Sequence, residues 1–408
     1  MVRNHCPVCR GRRIEEIYHF GDLPLTTQYV SAPVKTYESF PLSITGCSDC
    51  HFVFISNPVD PIRLYSDNYN LTSSYPASHL DDLTERLIEK VPSYESFIFE
   101  IAANDGAFLH RFLKNGYENV LGIEPSANCV ATARGKGVRV INDYFNFNSA
   151  SALFHTYGKA DLVIIRHAIE HIADIEGLLE GIATICSDNG SVYVEFPDTD
   201  LAFTYGKYMY FFEQHVNYFT TATCQHLFNR FGFQLDREYR FSYGGGSKGL
   251  LFSPISGVPL KTPSPDFFTN SSMDMLRLHL KQSTQKISRF IDSKPGSRFS
   301  LYGPGFVGIS LINNIDIAKH LCCVFDDSPT KIGLFLPGSN LEIKSGMRLA
   351  EERPDYCLIA PLNEKKFETG IINNNKEYLN NGGHFIEFFP QGKETDFFHI
   401  INRDNQQS

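Results

Sequence analysis

Two short runs, Phe99-Glu-Ile-Ala-Ala-Asn-Asp-Gly-Ala-Phe108 and Val120-Leu-Gly-Ile-Glu-Pro125, constrain this chain more than any other feature. Each begins as an apolar run and reaches a carboxylate, and between them Phe108, Leu109, Phe112 and Leu113 recur at helical spacing. Two buried parallel strands joined by a helix account for that pattern. A small-residue turn at the carboxyl end of the first strand lets a ligand approach the backbone closely. A carboxylate at the tip of the second can accept hydrogen bonds from both hydroxyls of a ribose. Together the two runs predict a nucleoside site at the switch point of a doubly wound α/β sheet.

The pattern continues on both sides. Ser126 is placed to cap a helix ending near Gly135 or Gly137, and further strands are expected at 138–141, 161–165 and 191–196. A helix from Thr221 to Phe231 should stop at Gly232, and apolar stretches at 233–235 and 249–252 could form a closing antiparallel hairpin. Beyond a Pro/Ser-rich linker and a connecting helix, Phe299-Ser-Leu-Tyr-Gly-Pro-Gly-Phe-Val-Gly308 repeats the strand–glycine-turn theme. Runs ending at Phe325-Asp326-Asp327, at 357–360 and at 384–389 complete a second, smaller Rossmann-like unit. The domain reading is therefore 1–77, 78–254, a linker and helix over 255–296, 297–390, and a polar, frayed tail over 391–408.

At 408 residues several domains are natural, and a formal net charge of −9 with no basic block argues against a nucleic-acid partner. No apolar run is long enough to span a membrane, and Met1 to Cys6 holds no signal-peptide pattern, so a cytoplasmic enzyme with neither membrane nor nucleic-acid partner is expected. The ten cysteines then read as metal ligands or buried thiols. Four of them, in Cys6-Pro-Val-Cys9 and Cys47-Ser-Asp-Cys50, form two knuckles that can close a tetrahedral structural zinc site. The alternatives are a redox dithiol, or His5 or His51 replacing one thiolate.

Because the first turn reads Ala-Ala-Asn-Asp-Gly rather than Gly-x-Gly-x-x-Gly, it resembles the S-adenosylmethionine site of class I methyltransferases. By strand position Glu100, Ala102, Asn104 and Gly106 would line the methionine and ribose end, with Glu124 and Pro125 at the ribose. Asp143, Tyr144 and Phe145 would meet the adenine, and Arg166 and His167 would lie near the transferred methyl. His167 and His171 lie four apart on an expected helix, yet their order is not that of zinc proteases, so no metal is assigned there. The run Tyr210-Phe-Phe-Glu-Gln-His-Val-Asn-Tyr-Phe219 places His215 among Glu213, Gln214, Asn217 and Tyr218, a pattern suited to a substrate pocket with a base near neutral pH.

The order of cysteine pairs, acidic cofactor loop, aromatic–His–aromatic loop, Tyr243-Gly-Gly-Gly-Ser247 turn and C-terminal unit resembles the three-domain sugar-nucleotide C-methyltransferases. Phe325-Asp-Asp-Ser-Pro-Thr-Lys-Ile-Gly333 and Leu336-Pro-Gly-Ser339 look like that family as well. The resemblance implies a zinc-binding domain holding Cys6, Cys9, Cys47 and Cys50, a class I cofactor domain, and a C-terminal domain that helps hold a nucleotide-linked keto-deoxysugar. It also implies His215 as the base that takes a proton beside a ketone, and an active-site tyrosine for which Tyr69 and Tyr75 are candidates. The family's loop reads Tyr-His-Glu-His-Leu-Ser-Tyr-Phe; here His215, Tyr218 and Phe219 are kept, while Phe212, Glu213 and Gln214 replace the first three. The family's histidine before Gly-Gly-Ser is Tyr243 here. Those replacements leave an oxygen or nitrogen acceptor as an alternative. Two other readings stay open: an NAD-dependent oxidoreductase using Gly303, Gly305 and Gly308 with Asp326, and a zinc-ribbon binding factor. Oligomeric state is undetermined by the sequence.

Overall fold

A computed structural model describes residues 3–64, 79–255, 270–360, 365–389 and 397–403, and these described residues form three sheets. The candidate tyrosines Tyr69 and Tyr75 lie outside the described residues. Among those described, no helix is long and apolar enough to cross a membrane.

The N-terminal sheet holds β1 (Ile14–Pro24), β2 (Ser39–Cys47) and β3 (Val53–Ile55), antiparallel throughout. The central sheet is built from β4 (Ile98–Ile101), β5 (Val120–Ile123), β6 (Val140–Ile141), β7 (Ala160–Arg166) and β8 (Cys186–Pro197), all parallel. Two more residues, β9 (Asn217–Tyr218), leave the central unit and pair with β3 as the fourth strand of the N-terminal sheet. The hairpin β10 (Phe233–Phe241) and β11 (Ser247–Pro254) closes the central sheet, β11 lying antiparallel beside β8.

The resulting order is β10-β11-β8-β7-β4-β5-β6. Strand order reverses at β4, so the crevice beyond its carboxyl end is the expected ligand site of an open α/β sheet. Its parallel strands are mostly apolar because both faces are covered, with Glu100 of β4 and Glu195 of β8 as buried exceptions. The helix Ala127–Gly135 is capped by Ser126, whose side chain accepts from the Cys129 amide, as its sequence position implies.

The C-terminal unit comprises β12 (Phe299–Tyr302), β13 (Leu321–Asp326), β14 (Ile343–Ser345), β15 (Tyr356–Ile359), β16 (His384–Phe388) and β17 (Phe398–Ile401). Its order, β14-β13-β12-β15-β16-β17, is parallel except for β17. The tail is thus not frayed throughout: Phe398–Ile401 pairs with β16, and Phe397, Phe398 and Ile400 pack against the neighbouring core. The helix Asn270–Asp292 is part of that core too, through Met273, Leu276, Leu280, Ile287 and Ile291.

One apolar cluster joins Ile17 and Ile44 of the N-terminal sheet, Phe211 and Tyr218 of the central unit, and Ile309 and Leu311 of the C-terminal unit. The segment between β8 and the helix Thr221–Arg230 therefore lies wedged among all three units.

Candidate active site

The four cysteines meet as their spacing implies. Cys6 and Cys50 have their Sγ atoms 3.5 Å apart, as do Cys9 and Cys47, and all four sulfurs lie within 4.8 Å of one another. Sulfurs about 3.8 Å apart are what Zn–S bonds of about 2.3 Å require in a tetrahedron. The amides of Val8, Gly11 and Asp49 donate to Cys6, Cys9 and Cys47 at 3.3 to 3.4 Å. Arg10 and His51, each following the second cysteine of its knuckle, have φ of 62° and 60°, which folds both turns alike. A side chain at Gly11 would collide with Asp49 and Cys9. The cluster fits a four-cysteine zinc site, in which four protein ligands would leave no open position for chemistry. Val8 and the sulfurs pack into the central core with Phe52 and Phe54, so the site braces the sheet.

At the tip of β4 the turn is strongly bent: Ala102, Asn104 and Gly106 have φ of 55°, 51° and 69°. A Cβ at Gly106 would come within 2.9 Å of Ala133 Cβ, so the loop folds directly onto the following strand–helix unit. Asp105 fixes it from below, its carboxylate 2.7 Å from Lys136 Nζ and accepting from the Ala107 amide. Glu124 accepts from the Asn104 amide at 3.1 Å and the Ser126 amide at 2.8 Å, and burial raises its pKa. Asn142 holds the strand end by donating to the carbonyls of Glu124 and Pro125. Asp143 accepts from the Tyr144 amide, and the Tyr144 ring is 47% exposed beside this edge. Phe145 instead turns into the core against Phe99 and over Gly181, which removes it from an open adenine face. Glu100 is buried within β4 rather than at its rim, and burial among other carboxylates lifts its pKa to about 8. The bent turn and the backbone-held Glu124 fit S-adenosylmethionine, whose ribose hydroxyls would be further partners for Glu124.

Beyond β7 and β8 lies a network centred on Glu195, which is fully buried. Its carboxylate meets His79 Nε2 at 2.8 Å, Arg166 Nε at 2.8 Å, His167 Nε2 at 3.2 Å and Ser247 Oγ at 3.2 Å. Burial alone would raise its pKa, but Arg166 and the histidines hold it well below the usual range. The Arg166 guanidinium also lies 4.5 Å from the centroid of Phe108, at the end of the cofactor loop. His167 lies between two carboxylates, Glu195 and Glu170, which outweigh burial and raise its pKa to about 9.

His167 to His171 is not an α-helix. His167 has φ of 47° and Ile169–His171 is a single 3₁₀ turn, which brings Glu170 and His171 against the aromatic loop. His171 Nδ1 lies 2.9 Å from the Gln214 carbonyl, and its ring meets His215 edge-on at 4.9 Å. His215 is packed against Phe212, and burial followed by repulsion from His171 lowers its pKa to about 3. The expectation of a base titrating near neutrality is corrected on that account. Pro197, Asp198, Tyr210, Tyr218, Glu170 and His215 line one enclosed pocket beside the end of β8. The Tyr218 hydroxyl is buried there. Glu213 faces elsewhere: its Oε1 accepts from Thr26 N at 2.9 Å and Thr26 Oγ1 at 2.8 Å, so it ties the loop to the N-terminal unit rather than serving His215.

Glu195, Glu170, His79 and Asp105 were given no role from sequence, and His171 was weighed only as a metal ligand. The available signal was a lone carboxylate inside the apolar run 191–196, which a parallel strand covered on both faces tolerates only when paired.

Three family models match in chain order: one of a candidate zinc binding domain over residues 6–65, one of a methyltransferase domain over 74–238, and one of a C-methyltransferase C-terminal domain over 274–390. The C-methyltransferase NovU of Streptomyces niveus is 24% identical over 95% of this chain and 96% of its own length. Among solved structures, magnesium protoporphyrin IX methyltransferase from Synechocystis with bound SAH is 16% identical, covering 44% of this chain and 83% of its own, with a TM-score of 0.36. The CcbJ methyltransferase from Streptomyces caelestis is 11% identical, covering 47% and 94%, also with a TM-score of 0.36.

Proposed function

We propose that this chain, an S-adenosylmethionine-dependent methyltransferase built from a zinc-binding domain, a methyltransferase domain and a C-methyltransferase C-terminal domain, methylates a carbon of a nucleotide-linked keto-deoxysugar with His215 as base. The observation that carries the reading is the pocket shared by His215, Tyr218 and Tyr210, which lies beside the end of β8, with Glu170 linking it to the Glu195–His167 network. The cofactor, when bound, supplies an electrophilic methyl and its own leaving group.

The chain's residues have the remaining tasks. The bent loop at Ala102 to Gly106 and the carboxylate of Glu124 hold the nucleoside, and Arg166 and His167, both paired with Glu195, link Phe108 at the end of that loop to Glu170 in the acceptor pocket. His215, neutral at pH 7, takes a proton from the carbon beside the ketone. The electron pair left on that carbon would be held as the enolate, whose carbon would accept the methyl that the bound cofactor supplies together with its own leaving group. Tyr218 donates to the developing enolate oxygen. The C-terminal unit, through the helix Phe306–Asn313 packed beside the aromatic loop, contributes to holding the nucleotide portion.

The test is His215→Ala with a panel of nucleotide-linked keto-deoxysugars. Affinity for S-adenosylhomocysteine should stay within about 3-fold, while both turnover and solvent-deuterium exchange at the acceptor carbon fall by about 100-fold or more. A product whose added methyl lies on oxygen or nitrogen by NMR would overturn the carbon assignment. Full activity in the variant would dismiss His215 as base.

A further inference from the structure

Glu170 is not used in that scheme, yet its placement is unusual. It sits in the 3₁₀ turn after β7, and its backbone carbonyl accepts from the Val216 amide at 2.8 Å, which locks the turn to the loop carrying His215. The side chain is 4% exposed. Oε1 lies 3.6 Å from His167 Nδ1 and 3.9 Å from His171 Nε2. Oε2 is buried with no hydrogen-bond partner among the described residues, a costly state for a carboxylate oxygen. Donor atoms of Glu170, His171 and His215 lie within 4.8 Å of one another, and Glu170 and His215 line the same pocket.

A base that becomes an imidazolium in a buried pocket needs a nearby anion. The loop itself does not supply one, since Gln214 is uncharged and Glu213 is turned to Thr26. Asp198 lines the pocket but is paired with Lys248 at 3.4 Å and Arg240 at 3.8 Å. Glu195 is already engaged by Arg166, His167 and His79. The other titratable groups facing His215 are His167 and His171, whose charge would oppose a second cation, and Tyr210 and Tyr218, which are neutral. Glu170 remains.

We propose that Glu170 is the positioning residue for the base: its carboxylate holds the charge that His215 acquires on taking the acceptor's proton, with Oε2 as the contact formed during turnover. The inference rests on His215 being the base. Burial and the neighbouring imidazoles weaken His215 as a proton acceptor, and Glu170 opposes that weakening.

The experiment compares Glu170→Gln, Glu170→Asp and His215→Ala, with rates followed over pH. For Glu170→Gln, kcat should fall about 10- to 100-fold with KM for both substrates within about 3-fold, and the acid limb should move about one pH unit lower. Glu170→Asp should recover at least part of the loss. In ¹⁵N-histidine-labelled protein, the resonance absent from His215→Ala should titrate at lower pH in Glu170→Gln. Wild-type kcat with an unmoved limb would overturn the proposal. So would lost activity with the limb and the His215 titration both unmoved, since a merely structural carboxylate predicts that result. A second zinc equivalent that Glu170→Gln loses would assign the cluster to metal binding and overturn it as well. Activity retained in His215→Ala would instead remove the base reading on which the proposal stands. If Glu170→Gln does not fold, the limb and titration in Glu170→Asp decide.

Discussion

Replacing Glu195 by glutamine should loosen the centre of the molecule while leaving its shape nearly unchanged. The carboxylate is fully buried and accepts from Arg166, His167, His79 and Ser247, so the amide removes one charge and leaves Arg166 largely uncompensated. Removing one partner of a buried ion pair costs about 3–5 kcal/mol. The effect should depend on pH in a definite way. His167 has its pKa raised from 6.5 to about 9, so its contribution, about 3 kcal/mol, is fully present below pH 6.5 and disappears as pH rises through 9. Glu195 itself is depressed, so its contribution is present above its unfolded value of 4.5 and is lost only as pH falls through its lower folded value. The gap between wild type and variant should therefore be widest between about pH 5 and 6.5, and narrower above pH 9. Hydrogen exchange read by mass spectrometry on peptides spanning β7 and β8 resolves this region in a multidomain chain that has no tryptophan to report on it. At pH 6 those peptides should exchange about 100-fold faster in the variant. Exchange within about 3-fold of wild type at pH 6 would refute the claim that Glu195 organises the site.

Gly106→Val should weaken S-adenosylhomocysteine binding by at least about 10-fold in calorimetry, because φ is 69° and the new Cβ meets Ala133 and Val138. Cys9→Ser should reduce zinc from one equivalent by elemental analysis and lower the melting temperature, since the sulfurs pack into the same core as the central sheet. Asn314→Ala removes donors to the Tyr208 and Phe211 carbonyls, both at 2.9 Å, and should lower kcat several-fold with S-adenosylhomocysteine affinity unchanged. Phe398→Asp should destabilise the C-terminal unit by about 2 kcal/mol or more in thermal denaturation, because β17 covers the edge of β16 and packs on Phe290.

Sequence was informative where a short pattern decides a local structure. The apolar run before Asn104, the carboxylate of Glu124 at the end of the adjacent strand, the Ser126 cap and the cysteine knuckles are each marked by residues within a short stretch of sequence. The Glu195 network could not be read that way. Its partners lie 116, 29, 28 and 52 residues away and meet only through sheet register and the closing hairpin. The turn at His167 defeated helical periodicity because a positive φ reverses the chain there. The C-terminal strand was hidden by polar residues on either side of Phe397 to Ile401, although that short run is itself apolar.

The position of His215 is a property of the whole chain rather than of the methyltransferase sheet. Its loop is paired by β9 to β3, and Arg3 donates to the Val216 carbonyl and to Asn217 Oδ1, both at 3.2 Å. Glu213 anchors the loop on Thr26, and Asn314 anchors the carbonyls of Tyr208 and Phe211 from the C-terminal unit. The 3₁₀ turn after β7 holds it from the cofactor side through the Glu170 carbonyl and Val216 amide. Four tethers on about ten residues hold His215 in place, which is the preorganisation that the proposed proton abstraction would need. The cysteine knuckles bear on this loop as well, since Cys47 ends β2 and β2 pairs with β3, which in turn pairs with β9. The same argument explains why acid–base partners can be exchanged within the loop sequence while the pocket persists. A loop held from three sides can lose a carboxylate at Gln214 if a rigid neighbour such as Glu170 presents one from across the pocket.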